Sequence, residues 1–262
     1  MKKFLLLLIP IFLSAKVHYA KVEPFDRATI KASVGGIVTD ANLSLEGKRV
    51  SSECVVQIDD ALDQANLKNS QKSLELMKQM QEINNQMFEG LKESVAIKRD
   101  FYQKVKSLSS SSQAQIDNAN MAYIAAKNQM LGIKEKISTL AKQTLDMQYK
   151  IAMLKKSISN KHIAPKGRYI YKIMVHTGEF VAPGMPLVIA DDLSRAKLTL
   201  YLDRDELKGI ENKKIFIDGN ETTYKIDKIW KEADTRFISA YRAQIILPPK
   251  YPFSSLLKVE IK

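Results

Sequence analysis

Between Ile116 and Ile158 the chain carries an unbroken heptad repeat, and nothing else in it restricts the fold as strongly. Ile116, Tyr123, Met130, Ile137, Thr144, Ile151 and Ile158 fall every seven residues. Ala119, Ala126, Ile133, Leu140, Met147 and Leu154 follow the first six of these by three. Side chains at that spacing share one stripe of an α-helix, and a stripe kept over about six heptads is a coiled-coil seam. The block around it, residues 61–160, has no proline and only Gly90 and Gly132, and is dense in good helix formers. Residues 60–108 supply a second, less regular stripe. Met77, Met80, Met87, Leu91, Phe101, Val105 and Leu108 fit one seam, interrupted by Asn84, Ser94 and Lys98.

The serines between these stretches divide the block in two. Ser112-Gln113-Ala114-Gln115 has capping-box spacing, with Ser112 as N-cap and Gln115 reaching back. Ser109, Ser110 and Ser111 then form a short polar turn, because serine prefers caps and turns to helix interiors. Two helices of nearly fifty residues on a short link pack antiparallel. Such a hairpin would extend on the order of 70 Å. Gly90 and Gly132 lie about equally far from the turn, so they are expected to face each other and permit a bend or close approach.

The flanks differ in kind. Residues 28–59 and 163–202 are short β-branched runs punctuated by glycine and proline, the pattern of strands. A shift of 131 positions lays Gly36, Gly47, Val50, Ile58 and Asp60 onto Gly167, Gly178, Val181, Ile189 and Asp191. Two copies of one unit are implied, with the four glycines as turn positions needing positive φ. Each copy is too small to bury a core alone, so the two should close on each other. Beyond residue 193, strands are expected at 197–202, 215–218, 222–230, 237–247 and 256–261. A short capped helix is expected to open at Asp203-Arg204-Asp205-Glu206. A small antiparallel β-barrel, completed by a strand from residues 17–32, accounts for them.

The first fifteen residues, MKKFLLLLIPIFLSA, are set apart from the fold. A basic start, about ten apolar residues and a small-residue exit make a secretory signal with cleavage after Ala15; an uncleaved anchor is the alternative. Cys54 is the one cysteine, so an exported chain of 262 residues must fold without internal disulfides. In the run CVVQI it is expected to be a small buried hydrophobe. The net charge of +12 is spread along the chain without interleaved aromatics, which argues against nucleic acid. It suits a solvated helix surface, or attraction to acidic partners or anionic lipid.

These parts, in this order, resemble the HlyD-type periplasmic adaptor proteins, also called membrane fusion proteins. "SVGGIVTDANLSLEGKRVSSECVVQIDD" and "APKGRYIYKIMVHTGEFVAPGMPLVIADD" look like the two half-motifs of that family's split lipoyl-like domain. The Gly-x-x-Val element of each stands at Gly47/Val50 and Gly178/Val181, and the resemblance covers essentially the whole mature chain. It implies an elongated α+β fold. Its parts would be a signal peptide (1–15), an N-terminal barrel strand (16–32), lipoyl-like half 1 (33–60), an antiparallel coiled-coil hairpin with its tip at 109–112 (61–160), lipoyl-like half 2 (161–192), which completes a barrel-sandwich hybrid, and a β-barrel (193–262). In relatives that dock on an outer-membrane channel, the tip carries an Arg, a Leu four residues on and a Ser seven beyond. Those positions fall here on Phe101, Val105 and Ser112. Val105 is conservative, Ser112 matches, and Phe101 departs, so docking should differ in detail. Ser109–Ser112 would be the polar end that meets the partner, and Ser112 serves equally well as a plain N-cap.

The implied partners are an inner-membrane transporter (a resistance-nodulation-division pump first, an ABC exporter second), a TolC-like outer-membrane channel, and further copies of the chain, six in the usual arrangement. The implied place is the periplasm of a Gram-negative bacterium, peripheral to the inner membrane. A further membrane-proximal domain looks reduced or missing. No cofactor is implied, since no lysine marks a true lipoyl carrier. Chemistry of other kinds finds little support. His18, His162 and His176 are far apart and lack ligand-spaced neighbours. The serines have no nucleophile-elbow context and no phosphate loop appears. Met77, Met80 and Met87 could be soft copper ligands, but seam packing is the simpler reading. Asp203, Asp205 and Glu206 are better caps than catalysts. A reading of another class remains: an envelope structural or binding protein whose repeat pairs between chains, with no transport role.

Overall fold

The computed structural model describes residues 16–233 and 240–262. The signal segment expected at residues 1–15 therefore lies outside the described residues. In chain order the elements are β1 (Val17–Lys31), β2 (Gly36–Ala41), β3 (Val56–Ile58), α1 (Ala61–Ser107), α2 (Gln113–Lys161), β4 (His162–Ile163), β5 (Tyr169–Ile173), β6 (Phe180–Val181), β7 (Pro186–Asp203), β8 (Ile215–Ile217), β9 (Asn220–Thr222), β10 (Ile226–Ala233), β11 (Ala240–Leu247) and β12 (Leu256–Ile261). They divide into two units, one holding the two helices and the other built of strands drawn from both ends of the chain. Among the described residues no helix is long and apolar enough to cross a membrane.

The helical unit is an antiparallel pair of 47 and 49 residues, each about 70 Å long. The α2 heptad falls where the repeat puts it. Ala119, Ala126, Leu140 and Ile151 are buried against α1 of the same chain, and the other heptad positions are half-buried. On α1 the inward row is Asp63, Leu67, Ser70, Leu74, Met77, Gln81, Asn84, Phe88, Leu91, Val95, Lys98, Tyr102 and Val105, spaced four and three in turn. This corrects the sequence reading. Asn84 and Lys98 do not interrupt the seam but lie in it, and Met80, Met87, Phe101 and Leu108 lie one position outside it, 46–58% exposed. The cause is that α1 is apolar on two adjacent stripes, so periodicity alone does not say which faces α2.

Side-chain contacts, polar at one end and aromatic toward the other, tie the pair together. Near the strands, Ser157 Oγ donates to Asp63 Oδ2 at 2.8 Å and Lys161 Nζ lies 3.0 Å from the same oxygen. Toward the tip, the Tyr102 and Tyr123 rings stack with centroids 6.5 Å apart. Gly90 and Gly132 do not meet. Both are exposed, and a Cβ added to either would touch nothing within 4 Å.

In the strand unit the two Gly-x-x-Val copies each pair with the opening of the other copy. Phe180 and Val181 face Ile37 and Gly36 in an antiparallel pair, and Arg49 bridges Tyr169 in the same sense. The Gly47 amide donates to Ile170 O at 2.9 Å and the Gly178 amide to Val38 O at 2.8 Å. Exchange of backbone bonds is how two units too small for a core share one, and Val38, Val50, Val55, Ile170, Val181 and Leu187 fill it. Gly47, Gly167 and Gly178 have φ of +76°, +74° and +90°, where a side chain would be strained. Gly36 is different: it is a strand residue of β2 rather than a turn, and so is not the conformational counterpart of Gly167.

The larger sheet runs β10-β11-β7-β1-β12-β8-β9, with β5 added on β7. Along β7, Ala196, Leu198, Leu200 and Leu202 point to the core by period-two alternation, as do Ala243, Ile245 and Leu247 of β11 and Leu257, Val259 and Ile261 of β12. The expected closed barrel is not found: among the described residues β10 and β9 are edges that do not pair. The boundary expected at 192/193 falls inside β7, which passes unbroken from one region of the sheet to the next. Strand 237–247 is described only from Ala240. The helix expected from Asp203 is a run of turns followed by a 3-10 turn at Ile210–Asn212. Only half of its capping box forms: the Asp203 amide donates to Glu206 Oε2 at 2.8 Å, while Lys16 takes the Asp203 carboxylate. One buried charge is satisfied across β1 and β7, where Arg27 grips Asp191 with two hydrogen bonds of 2.8 Å.

Candidate functional site at the hairpin tip

The tip begins where α1 runs out of partners for its last carbonyls. The Leu108 amide donates back to Val105 O, Ser107 Oγ donates to Lys104 O at 2.8 Å, and Ser111 N donates to Leu108 O at 3.1 Å. The chain then needs an N-cap, and Ser112 provides it. Ser112 Oγ accepts from the Gln115 amide at 3.3 Å, and the Ser112 amide donates to Gln115 Oε1 at 2.8 Å. Both halves of the capping box are made. Gln113 Nε2 donates to Asp117 Oδ1 at 2.9 Å and ties down the same turn.

This capping frees the other serines. Ser109 and Ser110 are exposed and Ser111 is half-buried, on a turn fixed by its neighbours. Beside them is an apolar depression of about 540 Å³ lined by Phe101, Val105, Leu108, Ser110, Ser111, Gln115, Asn118, Ala119 and Ala122. Val105 and Ala119 belong to the seam and form its inner wall. Phe101 and Leu108, each 58% exposed, form its rim. The structure thus brings together Phe101, Val105, Ser110 and Ser111 from the sequence reading, while Ser112 is occupied as a cap. Asn118 and Ala122 were missed, and Gln115 was read only as the capping partner of Ser112. Ala122 beside the small seam residue Ala119 was the available signal, since two small residues on one turn leave a hollow next to a protruding Phe101.

The arrangement is one for contact, with a polar crest next to an apolar hollow. Among the described residues no group of three or more His, Cys, Asp or Glu is placed to hold a metal. Gly47, Gly167 and Gly178 lie in the strand unit and shape turns there. Cys54 is half-buried, with Sγ 3.3 Å from Val56 O.

No protein-family model matches the chain, and no curated protein matches it in sequence. Solved structures do match. MacA from Actinobacillus actinomycetemcomitans superposes with a TM-score of 0.63 at 17% identity, over 94% of this chain and 78% of that one. The membrane fusion protein Spr0693 from Streptococcus pneumoniae R6 gives 0.62 at 10% identity, over 95% and 99%. The chain has the fold of the membrane fusion proteins. A putative efflux transporter from Bacteroides eggerthii also shares this membrane fusion fold, with a TM-score of 0.51 at 12% identity over 94% and 68%. Identities this low carry the fold and leave the tip to be judged on its own residues.

Proposed function

We propose that this protein is a non-catalytic periplasmic adaptor of a tripartite efflux or secretion system. In this reading the hairpin tip docks on a TolC-like outer-membrane channel, and the strand unit engages an inner-membrane transporter, a resistance-nodulation-division pump before an ABC exporter. The observation that carries it is the tip: serines held on a fully capped turn, beside a hollow rimmed by exposed Phe101 and Leu108. Two exposed apolar residues set together at the rim of a hollow make the kind of surface that favours a contact with a partner. The membrane fusion fold supports the same reading.

Other features fit. Leu76, Met80, Ile83, Met87, Ile97 and Phe101 form the second, exposed stripe of α1. Copies arranged side by side, six in this proposal, would cover it. The basic charge suits a protein held at the surface of the inner membrane. Pairing between chains is disfavoured as an alternative, because the α2 seam is already filled by α1 of the same chain.

The test is cross-linking in the native host with a photoreactive residue at Ser110 and, as control, one at Glu221 on β9. The reading predicts that Ser110 captures an outer-membrane protein and Glu221 does not. Capture of only this chain at Ser110, or of nothing, refutes it.

A further inference from the structure

The outward face of the larger sheet carries a surface that the tip reading does not use. We propose that Tyr19, Lys21, Lys197, Tyr201, Trp230 and Arg242 form a docking groove for an acidic protein surface. Strand register brings them together. Arg242 stands opposite Tyr201, Gln244 opposite Thr199, Lys197 opposite Glu23 and Lys21 opposite Leu256. Their neighbours along each strand, Leu198, Leu200, Ala243, Ile245 and Val22, fill the core, so this set faces out. Between them runs a groove of about 640 Å³.

Its composition names the partner. Three cations line the groove against one carboxylate, Glu23, which accepts from Thr199 Oγ1 at 3.2 Å. Among the described residues no carboxylate forms an ion pair with Lys21, Lys197 or Arg242. The Arg242 guanidinium lies 3.9 Å over the Trp230 ring. Stacking uses the face of the guanidinium and leaves its edge N–H groups for a carboxylate. Tyr19 and Leu256, 67% and 64% exposed, stand at the margin. Tyrosine, tryptophan and arginine are the side chains that dominate protein interfaces. A concave groove suits a ridge of protein better than the flat surface of a bilayer. A second copy, itself at +12, has the wrong charge.

The inference deepens the adaptor reading by giving the chemistry of the strand unit's partner, and it stands or falls apart from the tip. Trp230 is the only tryptophan, so its fluorescence reports on this groove. The intact protein is titrated with a glutamate- and aspartate-rich peptide, a lysine-rich peptide, and vesicles containing phosphatidylglycerol. The proposal predicts that the acidic peptide alone shifts Trp230 emission, that salt weakens the response, and that K21E/K197E weakens binding at least tenfold. R242Q should weaken it several-fold, and K142E on α2 should leave it unchanged. Lys21→Gln with Lys197→Gln serves if the reversal disturbs folding. Equal binding by all variants, or a response to vesicles only, overturns the proposal; the latter would make the face a membrane contact. In cells, a photoreactive residue at Gln244 should cross-link to an acid-rich segment of another protein. Mapping of the cross-link to a neutral or basic segment, or to this chain, would also overturn it. Failure here with capture at Ser110 leaves the tip reading intact, and the converse holds.

Discussion

The two helices of the hairpin share one seam but differ in what lies beside it. On α2 the inward row is almost wholly apolar, and small residues, Ala119 and Ala126, let α1 approach. On α1 the inward row contains Asp63, Ser70, Gln81, Asn84 and Lys98, while methionine, isoleucine and phenylalanine lie on an adjacent exposed row. An apolar residue kept out of the seam, next to polar ones kept in it, is a poor way to stabilise a hairpin. It is a sensible way to present a surface. The difference teaches that apolar periodicity locates a stripe, and only the partner helix decides which stripe is core.

The sharpest way to break this comparison is to truncate one residue of each kind. Leu140→Ala, in the buried row, should lower unfolding free energy by about 2–4 kcal/mol. Met87→Ala, on the exposed row, should change it by less than about 0.5 kcal/mol. Denaturant unfolding followed by helical circular dichroism checks both, and equal losses would mean that α1 packs on the other stripe.

Asn84 offers the next largest effect. It is buried in the seam, and although Nδ2 donates to Met80 O at 2.6 Å, Oδ1 has no hydrogen-bond partner. An unsatisfied buried acceptor costs about 1–3 kcal/mol, so Asn84→Leu should raise stability by about 1–2 kcal/mol. A loss of similar size would place Asn84 outside the seam.

These positions show what was legible in the sequence. The helix pair, the turn at the serines, the Ser112 capping box and the α2 seam follow from spacing and cap chemistry, which are local. The phase of α1 was not legible, because Met77 and Met80 are equally apolar and three residues apart. Strands β1 and β12 were legible from alternation. Closure of the barrel was overestimated, since alternation fixes which side of a strand is buried but not whether edge strands meet. Three of the repeat's four glycines have turn geometry; Gly36 does not, because it is the first residue of β2 and pairs there with Val181. At the tip, Phe101 and Val105 were found, but the hollow between them is made by side chains that are small, and small residues leave a faint trace in a sequence.

Smaller effects sharpen the account of the exposed helix surfaces. Gly90→Ala and Gly132→Ala each fill open space in a helix interior and should add about 0.5–1 kcal/mol. They should be additive, and a loss from either would revive the close approach expected between them. The weakest lever is acid. Hydrogen bonds from Ser157 and then Lys161 hold the Asp63 carboxyl below its usual range. A depressed carboxyl adds stability that is present above the unfolded value, near pH 4, and is lost as pH falls through the folded value. Hairpin melting should therefore be flat from pH 7 to 5 and fall below about pH 4. Asp63→Asn should remove part of that fall at a cost of about 1 kcal/mol or less at neutral pH.

The central claim is that the tip is a docking site, and Phe101 is its most exposed commitment. The most direct measurement is the yield of the Ser110 cross-link to the proposed outer-membrane partner in wild-type and Phe101→Asp protein, with hairpin melting measured alongside. The account predicts unchanged melting, because Phe101 is outside the seam, and at least a tenfold loss of cross-link. An unchanged cross-link, or a melting temperature that collapses with it, would contradict the account.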